Sequence, residues 1–194
     1  MSIALIVSID RNGAIGRRTT LPWTMPSCAN RIKELTQGKP VIMGRRVFES
    51  GKQSDLGTHC TLIVVTQEAS TNRTKYTKTG AFPAANLNDA VSVARYFATI
   101  TGAREICIVG GASLFRQTIV ICERVYVMRV SAATIDSDVH LQELNAIIEE
   151  CQHGTCKKWS LQETGKVVAQ QSSNADQHDA SFITLTRMRS SEAV

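Results

Sequence analysis

Apolar residues occur along this chain in short runs rich in β-branched side chains, and turn-forming residues separate the runs. Such runs are typical of strands that are buried on both faces of a sheet. Between them, apolar positions recur at the spacing of one helix face. The pattern predicts strands at residues 3–9, 40–43, 61–66, 105–109, 124–130 and 181–187, and helices at residues 27–37, 87–99 and 112–119. This alternation predicts an α/β fold with a mostly parallel central sheet and flanking helices.

The order of elements changes near the end of the chain. An apolar run at residues 159–168 precedes the last strand, and the stretch between them, residues 170–179, is rich in Gln, Ser, Asn and Asp. This order predicts a C-terminal antiparallel hairpin with a long connecting loop. Ser27 and Asn88 are predicted to cap the first two helices, because their side-chain oxygens can accept hydrogen bonds from free N–H groups of the first turn.

We expect one domain over residues 1–189, followed by a short tail at residues 190–194. The 194 residues are 43% hydrophobic and 20% charged, which suits a soluble domain with a sizeable core. No apolar run approaches the roughly 18 residues of a membrane span, and the N-terminus lacks the basic start and cleavage site of a secretory signal. These features predict an intracellular protein with no membrane span, in the cytoplasm or in an organellar matrix.

The six cysteines form no C-x-x-C pair, and several lie in apolar runs where a thiol behaves as a small hydrophobic group. This usage favours a reducing compartment. Cys151 and Cys156 have a spacing that would suit a disulfide or a metal, but the segment between them brings the ligand number to three at most. We therefore predict a plain loop at residues 151–156 and no metal site.

The net charge of +5 and the isoelectric point of about 9.0 are weak indicators of a polyanionic partner, because the basic residues are spread thinly. Only 5% of the residues are aromatic, which leaves few platforms on which bases could stack. A nucleic-acid partner is therefore a weaker hypothesis that rests on charge alone. A phosphorylated cofactor would fit the same charge.

Two turns have the chemistry of a phosphate site. Gly44, Arg45 and Arg46 follow a predicted strand and precede a helical turn, so backbone N–H groups and two guanidinium groups would converge. Gly110 and Gly111 close another strand and would let the backbone approach a ligand closely. Taken alone, the first turn is better explained as a solvated basic turn, and the glycine pair could serve turn geometry only.

Three segments in combination carry a family resemblance: residues 21–28 (LPWTMPSC), 39–50 (KPVIMGRRVFES) and 108–115 (IVGGASLF). Together they resemble dihydrofolate reductase, and the resemblance spans about residues 1–189. It implies NADPH as cofactor, although Val47 stands where the family has a threonine. The cofactor-binding residues that it implies are Ser8, Ile15, Gly16, Gly44, Arg45, Arg46, Val47, Thr66, Gly110, Gly111, Ala112, Ser113 and Leu114.

The resemblance also implies a substrate pocket, and here the chain departs from the family. The implied pocket residues are Ile6, Val7, Trp23, Cys28, Ile32, His59, Val109, Phe115 and Met128. Cys28 occupies the position of the family's catalytic Asp or Glu, Met128 that of its threonine partner, and His59 that of the arginine that binds the folate carboxylate. A thiol is largely neutral at pH 7 and lacks a second oxygen, so no catalytic residue is assigned.

Two functional hypotheses follow. The first is a dihydrofolate-reductase-like protein that retains some NADPH binding, has lost efficient dihydrofolate reduction, and acts as a scaffold, regulatory protein or subunit with protein partners in a larger assembly. The alternative is an active NADPH-dependent reductase of dihydrofolate, or of another small substrate, that uses an unusual proton route. The polar losses favour the first hypothesis, and the retained glycine and arginine turns support the second.

Overall fold

The computed structural model of the protein describes residues 1–17, 20–133, 137–169 and 176–188. The strands are β1 (Ser2–Ile9), β2 (Ala14–Gly16), β3 (Pro40–Gly44), β4 (Thr61–Val65), β5 (Phe82–Ala84), β6 (Glu105–Ile108), β7 (Arg124–Val130), β8 (Val139–His140), β9 (Trp159–Val167) and β10 (Ala180–Arg187). The helices are α1 (Pro26–Thr36), α2 (Arg45–Glu49), α3 (Arg73–Thr77), α4 (Leu87–Thr101), α5 (Ala112–Thr118) and α6 (Gln142–Gln152), and a 3-10 turn covers Lys52–Asp55. The strands and helices predicted above are all present.

The main sheet has the strand order β5-β4-β3-β6-β1-β7-β10-β9. The pairs from β5 to β7 are parallel, whereas β10 is antiparallel to both β7 and β9. This arrangement confirms the predicted fold class, including the C-terminal antiparallel hairpin. Residues 170–175 of the hairpin loop and residues 189–194 of the tail lie outside the described residues.

Strand β1 lies near the middle of the sheet and is covered on both faces. Side chains alternate along a strand, so Leu5 and Val7 belong to one buried cluster and Ile6 to another. The first cluster includes residues of α4, α5 and α6, and the second includes residues of α1, α2 and α3. The continuous apolar run of β1 is explained by this burial on two faces.

The predicted caps of α1 and α4 are wrong. α1 begins at Pro26, so Ser27 lies within its first turn, and Met25 at the cap position makes no side-chain hydrogen bond. Proline favours the first helical position because its φ angle already fits and its missing N–H would be unpaired there. α4 is capped by Asn86, whose side-chain oxygen accepts a hydrogen bond from the Asp89 N–H at 2.9 Å.

Helix α6 is not among the helices predicted above, and it corrects the interpretation of residues 151–156. Cys151 lies in the last turn of this helix, and Cys156 follows in the turn after it, so the segment is not a plain loop. The Cys151 thiol donates to the Trp159 carbonyl at 3.4 Å, which ties the helix end to β9. All six cysteines are free thiols.

No helix in the described ranges is both long enough and apolar enough to cross a membrane.

Candidate active site

The two glycine turns meet at the carboxyl edge of the sheet, because β3 and β6 are parallel neighbours. The Gly44 N–H donates to the Gly110 carbonyl at 2.8 Å. A Cβ atom on Gly44 would lie 3.4 Å from the Gly111 nitrogen, and one on Gly110 would lie 3.3 Å from a Val47 methyl group. Gly110 also has φ +112°, which side-chain-bearing residues rarely adopt. The two turns therefore pack closely against each other and against Val47, and a larger residue at Gly44 or Gly110 would crowd this contact.

The two arginines that follow Gly44 differ in their surroundings. The Arg45 guanidinium lies 3.2 Å from a Glu68 oxygen and 3.8 Å from a Glu49 oxygen, so part of its charge is already paired. The Arg46 side chain is exposed and makes no hydrogen bond or ion pair within the described part of the chain. Arg46 is thus the more available cation for a phosphate group.

The other cofactor-binding residues that the resemblance implies lie on β1, on β2, at the start of α5 and directly after β4. Thr66 follows the end of β4 and is 4% exposed, and its hydroxyl accepts from the Glu68 N–H at 3.1 Å and from the Tyr76 hydroxyl at 3.3 Å. The Ser113 hydroxyl accepts from the Gln117 side chain. Ile15 and Gly16 lie on β2, Ala112, Ser113 and Leu114 open α5, and Ser8 is buried on β1.

Cys28 lies in the first turns of α1 and is 2% exposed. Burial raises the pKa of its thiol from 9.0 to about 11, the nearby Ser8 hydroxyl acts to lower it, and the Asp176 carboxylate acts to raise it. The thiol is therefore neutral at physiological pH. It can neither carry the negative charge of a carboxylate nor form a two-oxygen contact.

Most of the side chains that pack around Cys28 are apolar. It belongs to the same buried cluster as Ile6, Trp23 and Met128, and Ile32 and Val109 pack against that cluster. Met128 is paired in register with Ser8 across β7 and β1. Ser8 Oγ and Trp23 Nε1 are buried without a hydrogen-bond partner of good geometry. The structure thus brings together most of the substrate-pocket residues that the resemblance implies.

Three of the implied pocket residues lie elsewhere. Val7 and Phe115 belong to the cluster on the opposite face of the sheet, because Val7 alternates with Ile6 along β1. His59 is exposed in the turn before β4, with φ 57°. A neutral or charged imidazole there faces solvent and takes no part in the buried cluster around Cys28.

Asp176 is a residue near the site that the sequence pattern does not identify. It is 9% exposed, and its two oxygens accept from the Ser27 N–H at 2.9 Å and from the Ser27 hydroxyl at 2.5 Å. Its neighbour Gln177 exchanges two hydrogen bonds with the backbone of Thr24. The hairpin loop is therefore fastened to the segment between Trp23 and Cys28. The contact joins residues 149 positions apart, so no local motif indicates it.

No group of three or more His, Cys, Asp or Glu side chains within the described ranges could hold a metal ion.

Comparison with known proteins agrees with this geometry. The family model for dihydrofolate reductase matches residues 2–187. A dihydrofolate reductase from Haemophilus influenzae is 30% identical over 146 residues, which is 75% of this chain and 81% of the relative. Dihydrofolate reductase type 3 from Salmonella typhimurium is 27% identical over 143 residues, covering 74% and 80% of the two chains. The chain therefore belongs to the dihydrofolate reductase family.

A solved structure shares the fold. Dihydrofolate reductase from Enterococcus faecalis, complexed with NADP(H) and RAB-propyl, superimposes with a TM-score of 0.68 over 97% of both chains, at 21% sequence identity. At this identity the likeness establishes the architecture of the sheet and its flanking helices. The chemistry at Cys28 depends on this chain's own residues.

Proposed function

We propose that this protein retains an NADPH site of the dihydrofolate reductase type, has lost efficient reduction of dihydrofolate, and serves as a scaffold, regulatory protein or assembly subunit. The observation that carries the loss of activity is the neutral, buried thiol of Cys28, whose pKa is about 11. The resemblance implies that members of the family carry a carboxylate at the position of Cys28.

Reduction of a dihydropterin requires a hydride and a proton on a ring nitrogen. A buried carboxylate serves this reaction by accepting hydrogen bonds from the pterin and by raising the proton affinity of the ring. Cys28 offers no charge, and Met128 offers no hydroxyl in place of the family's threonine. Losing both members of a hydrogen-bonded pair can be close to neutral for stability, whereas losing one would strand the other at a cost of ~1–3 kcal/mol. The paired change supports a site that has become apolar without becoming unstable.

The residues present fit NADPH. The close packing of the two turns requires glycine at positions 44 and 110, where a Cβ would meet neighbouring atoms at 3.3–3.4 Å. Gly44 and Gly111 remain partly exposed, and Arg46 has a guanidinium group with no partner in the described structure. Arg46, with Arg45 beside it, would hold phosphate groups, and the Gly110–Gly111 turn would lie along the cofactor. When bound, NADPH would supply a hydride. Val47 would meet it with methyl groups where a hydroxyl is usual.

A second candidate function is an active NADPH-dependent reductase with an unusual proton route. The observation that favours it is Asp176, a buried carboxylate that binds Ser27, the residue next to Cys28. Both of its oxygens are already engaged by Ser27. A proton route through Asp176 would therefore run by way of the Ser27 hydroxyl or require that hydrogen bond to break.

Turnover of dihydrofolate, followed by the loss of NADPH absorbance, separates the two candidates. We expect no turnover above background from the native protein. The double variant Cys28→Asp with Met128→Thr restores a carboxylate and its hydroxyl partner. It should exceed the matched control Cys28→Ser with Met128→Thr by about 100-fold or more, which is the usual scale of general acid–base assistance.

A native protein that turns over dihydrofolate at about 1 per second or faster would contradict the first candidate, because that is an ordinary enzymatic rate. Loss of such turnover in Asp176→Asn would then support the second candidate. Circular dichroism on each variant establishes that the fold survives.

The cofactor part is tested by titrating NADPH into the native protein. Arg46→Gln should weaken binding by about tenfold, as expected for loss of one charge-assisted contact to a phosphate. Arg95→Gln removes a similar exposed charge on α4 and should leave the affinity unchanged. Equal effects of the two substitutions would mean that Arg46 affects NADPH binding only through the net charge of the protein.

The scaffold part is tested by sizing the protein in extracts of cells that express it. Elution well above the 21.2 kDa of the chain supports membership of an assembly. Elution as a free monomer at native abundance contradicts it.

A further inference from the structure

A cleft of about 520 Å³ lies between α5 and α6, on the face of the sheet opposite Cys28. Leu5 and Val7 of β1 form its floor, Leu144 and Ile147 of α6 form one wall, and Trp159 of β9 closes one end. Close-packed protein interiors leave few voids larger than a water molecule. A cleft of this volume falls within the ~300–1,000 Å³ of small-molecule sites.

The cleft is separate from the candidate active site. The sheet lies between its floor and the cluster around Cys28, and neither glycine turn lines it. Phe115 is the residue that joins the two regions, since it lines the cleft and its ring tip would lie 3.8 Å from a Cβ on Gly110. An occupant of the cleft would therefore lie behind Phe115, away from Arg46.

The mouth of the cleft is apolar and remains uncovered in the described structure. Val120 lines the opening and is 70% exposed, and the adjacent Ile121 is 48% exposed. An apolar surface that continues from a cleft to solvent is typical of a ligand or partner site. The apolar body of a ligand would be covered by both walls and would in turn cover this opening.

The charged residues at the cleft favour an anion. Arg116, Lys158 and Arg187 line it together with a single acidic residue, Glu143, which gives a local excess of two positive charges. The two arginines already donate to backbone carbonyls, to His140 in the first case and to Ile119 and Cys122 in the second.

Lys158 differs from the arginines in the same cleft. Its ammonium group has no side-chain partner within the described residues, and it is exposed. The Arg187 guanidinium lies 4.3 Å above the Trp159 ring, so the aromatic end of the cleft carries positive charge as well. A free ammonium beside an apolar floor suits a ligand with one negative group at the end of an apolar body.

We propose that the cleft between α5 and α6 binds a small amphipathic anion, an aliphatic or aromatic carboxylate whose apolar body lies on Leu5, Val7 and Trp159 and whose carboxylate pairs with Lys158. A free small molecule is the occupant that fits the volume of the cleft and the ammonium group of Lys158, which has no side-chain partner among the described residues. This site is independent of whether Cys28 supports turnover.

The chain offers a built-in reporter, because its two tryptophans are Trp23 and Trp159. In a Trp23→Phe background, the remaining fluorescence comes from Trp159 in the cleft. The probe is decanoate, titrated below its micelle concentration and compared with decanol, which has the same apolar chain without the charge. Decanoate should bind saturably and about tenfold more tightly than decanol, the scale of one charge-assisted contact.

Two variants and one competition decide the outcome. Lys158→Gln should weaken decanoate by about two- to fivefold, the scale of an exposed ion pair, while Lys157→Gln, which removes a neighbouring exposed charge that does not line the cleft, should leave it unchanged. Ile147→Phe should weaken both probes by filling the cleft. Saturating NADPH should not displace decanoate. Isothermal titration on the native chain gives the same comparison without the Trp23 substitution.

The proposal is overturned by any of four results: no saturable binding, equal affinity for decanoate and decanol, equal effects of Lys158→Gln and Lys157→Gln, or full displacement by NADPH. The last result would place the probe in the cofactor site. The experiment does not use turnover, so a failure here is distinct from a failure of the proposed loss of reductase activity.

Discussion

The free-energy cost of a charged side chain at position 28 follows from the pKa shift of the Cys28 thiol. Burial raises the pKa of Cys28 from 9.0 to about 11, and Asp176 acts in the same direction. Two pKa units correspond to a cost on the order of 3 kcal/mol for the charged form, at 1.36 kcal/mol per unit. The carboxyl of a Cys28→Asp variant would meet the same surroundings. Its pKa should rise from the usual value near 3.9 to about 6.

The sign of the effect on stability follows from this shift. Because the folded-state pKa lies above the unfolded-state pKa, the folded protein binds the proton more tightly, and stability falls as pH rises between the two values. The Cys28→Asp variant should therefore be less stable at pH 8 than at pH 4.5 by about 2 kcal/mol, beyond any change in Cys28→Ser, because part of the full cost of about 3 kcal/mol is already present at pH 4.5. The serine variant is the matched control, since it is small and polar but does not ionise.

Urea unfolding, followed by circular dichroism at the two pH values, measures this difference. Met128→Thr leaves a cavity in the core and should cost stability in any background, but at pH 8 it should cost about 1–3 kcal/mol less in Cys28→Asp than in Cys28→Ser, because its hydroxyl would donate to the carboxylate. If Cys28→Asp and Cys28→Ser show the same pH dependence, the position is solvated. In that case the site around position 28 is not closed and apolar, and the proposed cause of the pKa shift is wrong.

Three further substitutions test the packing around α1 and its loop. Gly57→Ala should lower the free energy of unfolding by about 3 kcal/mol or more, since its Cβ would lie 2.6 Å from the Gln37 nitrogen, which is backbone and cannot move aside cheaply. Thr36→Val should cost about 1–3 kcal/mol, because the buried Gly57 N–H loses its acceptor at 2.8 Å. Asp176→Ala should cost about 1–2 kcal/mol by leaving two donors of Ser27 unpaired.

Each of these has a control measured in the same urea experiment. Gly16→Ala should be well tolerated, as its Cβ would meet nothing closer than 3.4 Å. Thr101→Val loses a similar hydroxyl contact on an exposed helix face and should change stability by no more than about 0.5 kcal/mol. Asp176→Asn keeps one acceptor oxygen and should cost less than Asp176→Ala. A Gly57→Ala protein as stable as Gly16→Ala would contradict the packing described for α1.

The sequence by itself determined the order of strands and helices along the chain, and it indicated the two glycine turns of the candidate cofactor site. Strands of the parallel sheet are buried on both faces, so their apolar runs are visible without any tertiary information. Gly44 and Gly110 each end such a strand, and their meeting follows once the strands are known to be parallel neighbours. The sequence also allowed the prediction that Cys28 stands where the resemblance implies a carboxylate, because residues of the same motif flank it closely on the chain.

The tertiary structure alone decided which residues surround the two glycine turns and Cys28. Val7 and Phe115 lie on the face of the sheet opposite Cys28. Side chains alternate along β1, so Val7 and Ile6 point to opposite faces. The family resemblance alone does not show which face each residue occupies. Helix α6 has apolar residues at helical spacing, Leu144, Ile148 and Cys151, so its amphipathic pattern is visible in the sequence although the prediction above omits the helix. Only the tertiary structure shows that it forms one wall of the cleft. Asp176 reaches Ser27 across 149 positions of chain. Contacts of this kind depend on how separate elements pack, and that packing leaves no local pattern in the sequence.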